Sequence, residues 1–161
     1  ISERSSKLFP FSGIYSASKN LLDLEKNKKI DQQVNNVSLF WETIGENMDQ
    51  WKGVRVGNLS ASEVRRDFIH THVIILQALG HMGKDLLKQF PTNWKSKLKN
   101  LNKINWLKNN SIWQQRVIIN GRVVKNNNSI ILASNVIKKA LGIKLDTKEK
   151  ALESQVKKSG K

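Results

Sequence analysis

Cysteine is absent from this chain of 161 residues, so disulfide bonds and thiolate metal sites are excluded. No apolar run approaches the length of a membrane span, and no signal-peptide pattern is present. Acidic residues are also scarce, because 13 Asp and Glu oppose 28 Lys and Arg, which leaves a net charge of +15. Such an excess suggests a polyanionic partner, most often nucleic acid, although anionic membrane surfaces attract the same charge.

The shortage of acidic residues is confined to one half of the chain. Residues 1–83 carry 10 Lys and Arg against 9 Asp and Glu, whereas residues 84–161 carry 18 against 4, so the net charges are +1 and +14. We therefore expect a polyanion to contact the C-terminal half. A chain of this length is expected to fold as a single domain, with a neutral bundle over residues 1–90 and a basic part over residues 91–161.

Helical periodicity identifies the central element of the fold. Apolar residues recur mostly three or four positions apart through residues 64–90. Ser60 and Glu63 have the spacing of a capping box ahead of this run, and Pro91 disfavours helical geometry just after it. The pattern predicts one long central helix over residues 60–90.

Two further helices are predicted before the central one. Apolar positions with helical spacing indicate a helix over residues 12–26, including Leu24, and another over residues 31–51, with a polar connection at residues 26–29 between them. Three helices joined by short loops describe an antiparallel bundle. The predicted fold class is therefore mainly α, a helical bundle around one long central helix.

The elements predicted after Pro91 are shorter. Three short helices are expected here. The first begins at a cap at Thr92, the second runs from a cap at Ser134 to Gly142, and the third begins at Asp146 and Glu149.

The segment around residues 111–132 allows two interpretations. The Ser111 and Gln114 spacing favours a helix that ends at Gly121, whereas Asn120-Gly121 is also typical of a type I′ hairpin turn. We favour the helix. A small two-stranded β element is also expected near residues 122–132, formed by residues 122–124 and 130–132.

The residues that could carry chemistry give weak signals. The histidines at positions 70, 72 and 81 lack the spacing of a metal site, and we interpret them as polar or partly buried helix residues. Gly80 and Gly83 do not follow a strand, so neither a phosphate loop nor a dinucleotide turn is supported. Close approach of another element, or a helix break near Gly80, would explain them. The sequence predicts no catalytic residue, no metal and no cofactor, and the chain is not expected to be an enzyme.

A group of charged residues on the central helix has spacing suited to a local ion-pair cluster. Its members are Arg65, Arg66, Asp67 and His70. We expect this cluster to orient the helix. In an enzyme completed by another part of the protein, these side chains would instead face an open cleft.

Basic residues interleaved with aromatic residues give the strongest functional signal. The tryptophans among them are expected to pack in the core, whereas the density of lysine exceeds what solubility requires. Phosphate groups are contacted by such cations, so we predict that this part binds the DNA backbone. The predicted contacts are Lys95, Lys97, Lys99, Lys103, Arg116, Arg122, Lys125, Lys138 and Lys139.

Several stretches together suggest a family. The longest is RRDFIHTHVIILQALGHMG at residues 65–83. In order along the chain, the others are SERSSKLFPFSGIYSASKNLL (2–22), LNKINW (101–106), Trp113, NGRVVK (120–125) and SNVIKKALGIKL (134–145). This pattern resembles the DndB proteins, the DGQHR-domain group associated with bacterial DNA sulfur modification. The DGQHR signature is absent from this sequence, so the resemblance implies the C-terminal part of a longer protein.

The resemblance implies a regulatory role. Proteins of this group are similar to repressors that bind DNA upstream of the phosphorothioation genes, so a cytoplasmic DNA-binding repressor is expected, with other sulfur-modification proteins as further partners and no membrane. The alternative is a protein–protein interaction module that docks on the modification machinery or on the missing N-terminal domain. That alternative predicts exposed apolar surface on the helices of residues 12–51.

Overall fold

The computed structural model describes residues 1–2, 4–22 and 29–159, with side chains up to residue 156. These residues form eight α-helices and a two-stranded antiparallel sheet, which confirms the predicted mainly α fold class. The helices are α1 (Phe11–Leu22), α2 (Ile30–Glu46), α3 (Asp49–Arg55), α4 (Ala61–Asp67), α5 (Val73–Gln89), α6 (Trp94–Leu98), α7 (Asn127–Leu141) and α8 (Thr147–Ser159). The strands are β1 (Ile118–Ile119) and β2 (Arg122–Val123). Within the described ranges, no helix is both long and apolar enough to cross a membrane.

The predicted central helix is in fact two helices, α4 and α5, with a break between them. Phe68 and His72 have extended backbones and flank a short 3₁₀ turn. At the break, Ile69 N donates to Trp106 O at 2.9 Å, and Phe68 pairs as an antiparallel bridge with Leu107. Backbone bonds to a distant segment therefore replace helical bonds, and the prediction of one unbroken helix is wrong.

The two predicted bundle helices also end differently from expectation. The continuation of α1 through Leu24 to residue 26, and most of the polar connection that follows, lie outside the described residues. The helix predicted over residues 31–51 is divided into α2 and α3. Met48 is buried with an extended backbone, and Asn47 Nδ2 donates to Thr43 O at 2.8 Å, which closes the last turn of α2.

The core is built on α5, which α1 and α7 both contact. A Cβ atom at Gly80 would lie 2.2 Å from the backbone oxygen of Ala17, so only glycine permits this approach of α1. The close approach predicted for Gly80 is confirmed, and α5 continues unbroken through that residue. The core side chains of α5 are Ile74, Ile75, Leu76, Ala78, Leu79, Met82 and Leu86.

Tryptophans of the basic half pack inward, as predicted. Trp106 and Trp113 are buried, and their rings stack with centroids 5.3 Å apart. Trp113 Nε1 donates to Asn105 O at 2.8 Å. Trp94 is half-buried and faces the ring of Phe40 at 6.1 Å. These rings anchor a segment of irregular backbone that carries many of the lysines.

The favoured helix at residues 111–121 is wrong, and the hairpin alternative is confirmed. Only a short 3₁₀ turn forms at Ser111–Trp113. Asn120 and Gly121 both have positive φ, 51° and 73°, as a type I′ turn requires, and Ile118 pairs with Val123 across it.

The predicted strand at residues 130–132 is also wrong, because those residues belong to α7. Asn126 Oδ1 accepts from Ser129 N at 2.8 Å and starts this helix well before the predicted cap at Ser134. Gly142, with φ of 73°, ends α7 as predicted. The helix predicted after Thr92 is α6, although its N-cap is Asn93.

The capping predicted from the sequence forms at α8 but not at α4. Ser60 is the N-cap of α4, but its side chain makes no cap hydrogen bond, and its Oγ lies 2.7 Å from Ser62 Oγ. At α8, Asp146 N donates to Glu149 Oε2 and Glu149 N donates to Asp146 Oδ1, both at 2.9 Å. The prediction that these two residues open the final helix is confirmed.

Candidate nucleic-acid interface

The basic half contains a long stretch without any carboxylate. Residues 86–145 hold 12 Lys and Arg and no Asp or Glu. Any carboxylate that neutralises these cations must therefore come from outside the stretch. Asp85, Glu149 and Glu153 do this for some of the predicted DNA contacts and leave others without a partner.

Five of the predicted contacts are exposed and form no ion pair within the part of the chain that the structure describes. We call them the exposed set: Lys95, Lys99, Lys103, Arg122 and Lys125. The first three follow one another through α6 and the 3₁₀ turn at Lys99–Lys103, and the other two lie on β2 and just after it. Well-solvated cations of this kind can contact phosphate groups at little desolvation cost.

Lys97 differs from the exposed set because it is only partly accessible to solvent. Its side chain is half-buried, and its Nζ is 4.3 Å from the ring centroid of Phe90, a cation–π contact. The same Nζ would lie 3.7 Å from a Cβ atom at Gly142, which places it beside the C-terminus of α7. The negative end of a helix dipole favours a cation there, so Lys97 already has interactions within the protein.

Three other predicted contacts form ion pairs, and we call Arg116, Lys138 and Lys139 the paired set. Glu153 on α8 joins two of them, because Arg116 NH2 lies 3.0 Å from its Oε2 and Lys139 Nζ binds the same oxygen. Burial opposes ionisation of Glu153, but the hydrogen bonds from the two cations outweigh it and hold the pKa of Glu153 below its usual value. Glu153 therefore neutralises one of the two positive charges within the protein.

Lys138 is not available at the surface. It is fully buried, and its ammonium group binds Asp85 on α5 and Glu149 on α8. Burying an ammonium group is costly unless carboxylates compensate it, which explains this pairing. Because an external phosphate cannot reach the group, we remove Lys138 from the candidate interface.

A histidine stands beside this buried pair. His81, Asp85 and Glu149 place possible ligand atoms within 4.8 Å of one another, an arrangement that histidine spacing alone could not predict. The ammonium group of Lys138 already binds both carboxylates. Burial, and then the charge of Lys138, lower the pKa of His81, whose Nδ1 lies 3.3 Å from Ser134 Oγ. We interpret the cluster as a structural ion-pair network.

His70 is a buried core residue. Trp51 Nε1 donates to its Nδ1 at 3.0 Å, so its Nε2 carries the proton and faces Gln50 Oε1 at 3.2 Å. Burial, and then the charge of His72, lower the pKa of His70 to about 3. The histidines were expected to be polar or partly buried helix residues, whereas His70 is fully buried and lies on a 3₁₀ turn.

The ion-pair cluster predicted around Arg65 forms only in part. Arg66 and Asp67 are paired, with Nε and Oδ1 2.8 Å apart, whereas His70 faces the core. Arg65 and Arg66 line an open cleft.

Comparison with known proteins gives one family. A family model described as DndB, DNA-sulfur modification-associated, matches residues 1–144. No curated protein and no solved structure gives a match. The matched span contains the whole exposed set, whereas Glu149 and Glu153 lie beyond it.

Proposed function

The chain belongs to the DndB family of DNA-sulfur-modification-associated proteins, and from that premise we propose that it is a DNA-binding regulatory protein of that system. We propose that it acts in the cytoplasm as a repressor of the modification genes, by binding and without catalysis. The family supports the biological context. Contact with DNA is supported by the surface described above.

The observation that carries this proposal is the exposed set. Five cations stand at the surface with no carboxylate partner among the described residues, in a stretch of sequence that itself has none. DNA presents one negative charge per about 1.7 Å of helix axis, and each phosphate contact releases condensed counterions. An exposed lysine gains this counterion entropy without first breaking an ion pair. The exposed set is therefore better suited to DNA than the paired set.

The proposal is tested by binding of labelled duplexes to the full chain, measured by fluorescence anisotropy. One duplex carries the region upstream of the modification genes, and the other is an unrelated sequence of equal length. We expect the double variant K99Q/K103Q to bind both more weakly. A control, K29Q, removes an exposed lysine from the N-terminal half and is expected to bind as the wild type does. Absence of binding at low salt would overturn the proposal.

The same measurement separates DNA binding from repression. A repressor must prefer the upstream duplex, because phosphate contacts alone carry no sequence information. Equal affinity for the two duplexes would support DNA binding and contradict the repressor role.

A second candidate function is favoured by a different surface. Phe11 and Tyr15 on α1 are exposed, with Phe11 at 85%, and their rings stack 6.4 Å apart. Ile30 and Val34 on α2 are exposed as well, with Ile30 at 76%. Exposed apolar side chains on these helices are what a docking module requires, and the partner would be a sulfur-modification protein or another part of the same protein.

The two candidate functions predict different results for one variant. Replacing the apolar residues in F11S/I30S should leave DNA affinity unchanged if the lysines bind DNA. If docking is the function, the wild type should co-purify with the modification proteins, and F11S/I30S should lose them, while neither binds DNA measurably.

A further inference from the structure

A basic cleft lies where the net charge of the sequence gives no reason to expect one. It has a volume of about 600 Å³ and opens on the N-terminal half, whose net charge is +1. Its described lining consists of Ile1, Arg4, Ser62, Arg65, Arg66 and Lys108. Four of these six residues are cations, and three of the four belong to the half of the chain that is neutral overall.

The break between α4 and α5 assembles this cleft. Lys108 belongs to the basic half, but its backbone N donates to Asp67 O at 3.0 Å, next to the bridge between Phe68 and Leu107. Its Nζ donates to Arg65 O at 2.8 Å. The same backbone pairing that interrupts the helix therefore places a lysine from a distant segment beside the arginines of α4.

Arg65 fixes a further wall of the cleft. Its guanidinium donates to the backbone oxygens of Ser5 and Ser2, at 2.9 and 3.1 Å, and of Lys7. These bonds hold the backbone at Ser2, Ser5 and Lys7 against α4, and Arg4 lies at the cleft. Arg65 is thus a positioning residue, and the side chains suited to direct contact are Arg66 and Lys108.

The charges of the cleft are incompletely compensated by the described residues. Asp67 accepts two hydrogen bonds from Arg66, from Nε at 2.8 Å and from NH2 at 2.9 Å, so a phosphate must share or displace this pair. The Arg66 side chain is 70% exposed and can be reached from solvent. Lys108 is half-buried and forms no ion pair with a described carboxylate, and burial lowers the pKa of its ammonium group although Asp67 opposes the shift. Burial, and then the charge of Lys108, also lower the pKa of His72, to about 4. An anion bound in the cleft would favour the charged form of Lys108 and so oppose its desolvation.

We propose that this cleft binds a phosphate group, with Arg66 and Lys108 as the direct contacts and Arg4 at the rim. An arginine fork and a lysine point charge are the usual donors to phosphate oxygens. The phosphate could belong to a nucleic-acid backbone or to a free phosphate ion, since both present the same oxygens. The inference concerns a surface distinct from the exposed set and does not rest on the proposed function.

The test follows backbone amide signals of the full chain by NMR during titration with inorganic phosphate. We expect saturable shifts concentrated at residues 65–67, 72 and 108. Both K108M and R66Q should weaken this binding about tenfold, the loss expected for one charge-assisted hydrogen bond. The control K103M changes a lysine of the exposed set and should leave phosphate binding at the cleft unchanged. Because the Arg66 side chain is exposed, R66Q should fold as the wild type does. It therefore still tests the cleft if K108M unfolds.

A second arm identifies the source of the phosphate. If a nucleic-acid backbone is the ligand, a short DNA duplex shifts the same signals and inorganic phosphate competes with it. If only the free ion shifts them, the ligand is a small phosphate. Shifts that do not saturate, or that spread equally over exposed lysines, would overturn the proposal. The two proposals can fail separately. If the exposed set does not contact DNA, K99Q/K103Q binds DNA as the wild type does, and that result does not depend on whether phosphate binds in the cleft.

Discussion

The exposed set and the paired set lie in the same basic half, yet their surroundings are opposite. Residues of the exposed set meet no described carboxylate, whereas each residue of the paired set meets at least one. The carboxylates come from α5, which begins before the acid-free stretch, and from α8, which begins after it. Net charge counted along a sequence therefore overestimates the cations available to a polyanion, because distant carboxylates neutralise some of them.

Helix α8 makes most of this difference. Its Glu149 and Glu153 each accept from cations of the paired set, and the reciprocal bonds with Asp146 fix the start of the helix. Because the family match ends at residue 144, these carboxylates are a feature of this chain outside the matched span. The following predictions test whether the two sets differ as the structure indicates.

The largest effect is expected at the centre of the paired set. K138M leaves the buried Glu149 and the partly exposed Asp85 without their cation, so the free energy of unfolding should fall by about 3 kcal/mol. Chemical denaturation measures this loss. The matched control K103M changes a lysine of the exposed set and should alter stability by less than about 0.5 kcal/mol. Equal losses in the two variants would remove the distinction between the sets.

Acidification should destabilise the fold through the buried His70. The pKa of His70 is about 3 in the folded protein, below the ordinary value of about 6.5 in the unfolded chain. The unfolded state therefore binds a proton first as pH falls, and stability present above about pH 6.5 is lost progressively toward pH 3. Between pH 7 and 5 this residue alone should cost about 2 kcal/mol.

Thermal unfolding across that pH range checks the acid effect. H70Q should show a shallower decline than the wild type, although it is less stable at pH 7. If acid lowers the DNA affinity of the folded protein as steeply as it lowers stability, DNA binding depends on the protonation of a histidine. That result would contradict DNA binding by the exposed set.

An intermediate effect is expected when the shared carboxylate of the paired set loses its charge. E153Q keeps an acceptor near Arg116 and Lys139 but no longer neutralises them, so stability should fall by about 1.5 kcal/mol. DNA affinity should rise, because the exposed Lys139 loses the carboxylate that neutralises it and becomes available for phosphate. Anisotropy with the unrelated duplex measures this gain, and a fall in affinity of the folded variant would show that the paired set does not compete with DNA.

The smallest stability effect is expected for the exposed set itself. K99Q should change the free energy of unfolding by less than about 0.5 kcal/mol, because its side chain contacts solvent and forms no ion pair with a described residue. Its effect should appear in DNA binding alone. A large loss of stability would indicate that Lys99 holds the fold together, and would place it with the paired set.

Local signals predicted the fold well where a few neighbouring residues decide the backbone. The end of α7 at Gly142 and the start of α8 at Asp146 each follow from residue chemistry within one turn. At Asn120-Gly121 the local signal allowed the correct hairpin, but the helix was favoured over it. Long-range contacts defeated prediction elsewhere. Nothing near Phe68 reveals that Trp106 and Leu107 will take its segment out of the helix.

The candidate site shows the same division. Composition correctly located the acid-poor half, and five of the predicted contacts are exposed and form no ion pair with a described residue. Lys138 could not be distinguished from its neighbour Lys139 by sequence, since its burial depends on Asp85 and Glu149, which are 53 and 11 positions away. The cleft around Arg66 was missed for the same reason, because Lys108 reaches it only through a tertiary backbone pairing.

The salt dependence of DNA binding tests the central claim most directly. Each phosphate contact contributes a slope of about −0.9 to a plot of log affinity against log salt concentration, so five contacts predict about −4.5. We expect K99Q/K103Q to reduce the magnitude of that slope by about 2 and K139Q to leave it nearly unchanged. A slope near zero in the wild type, or the same slope in K99Q/K103Q, would contradict the claim that the exposed set contacts DNA.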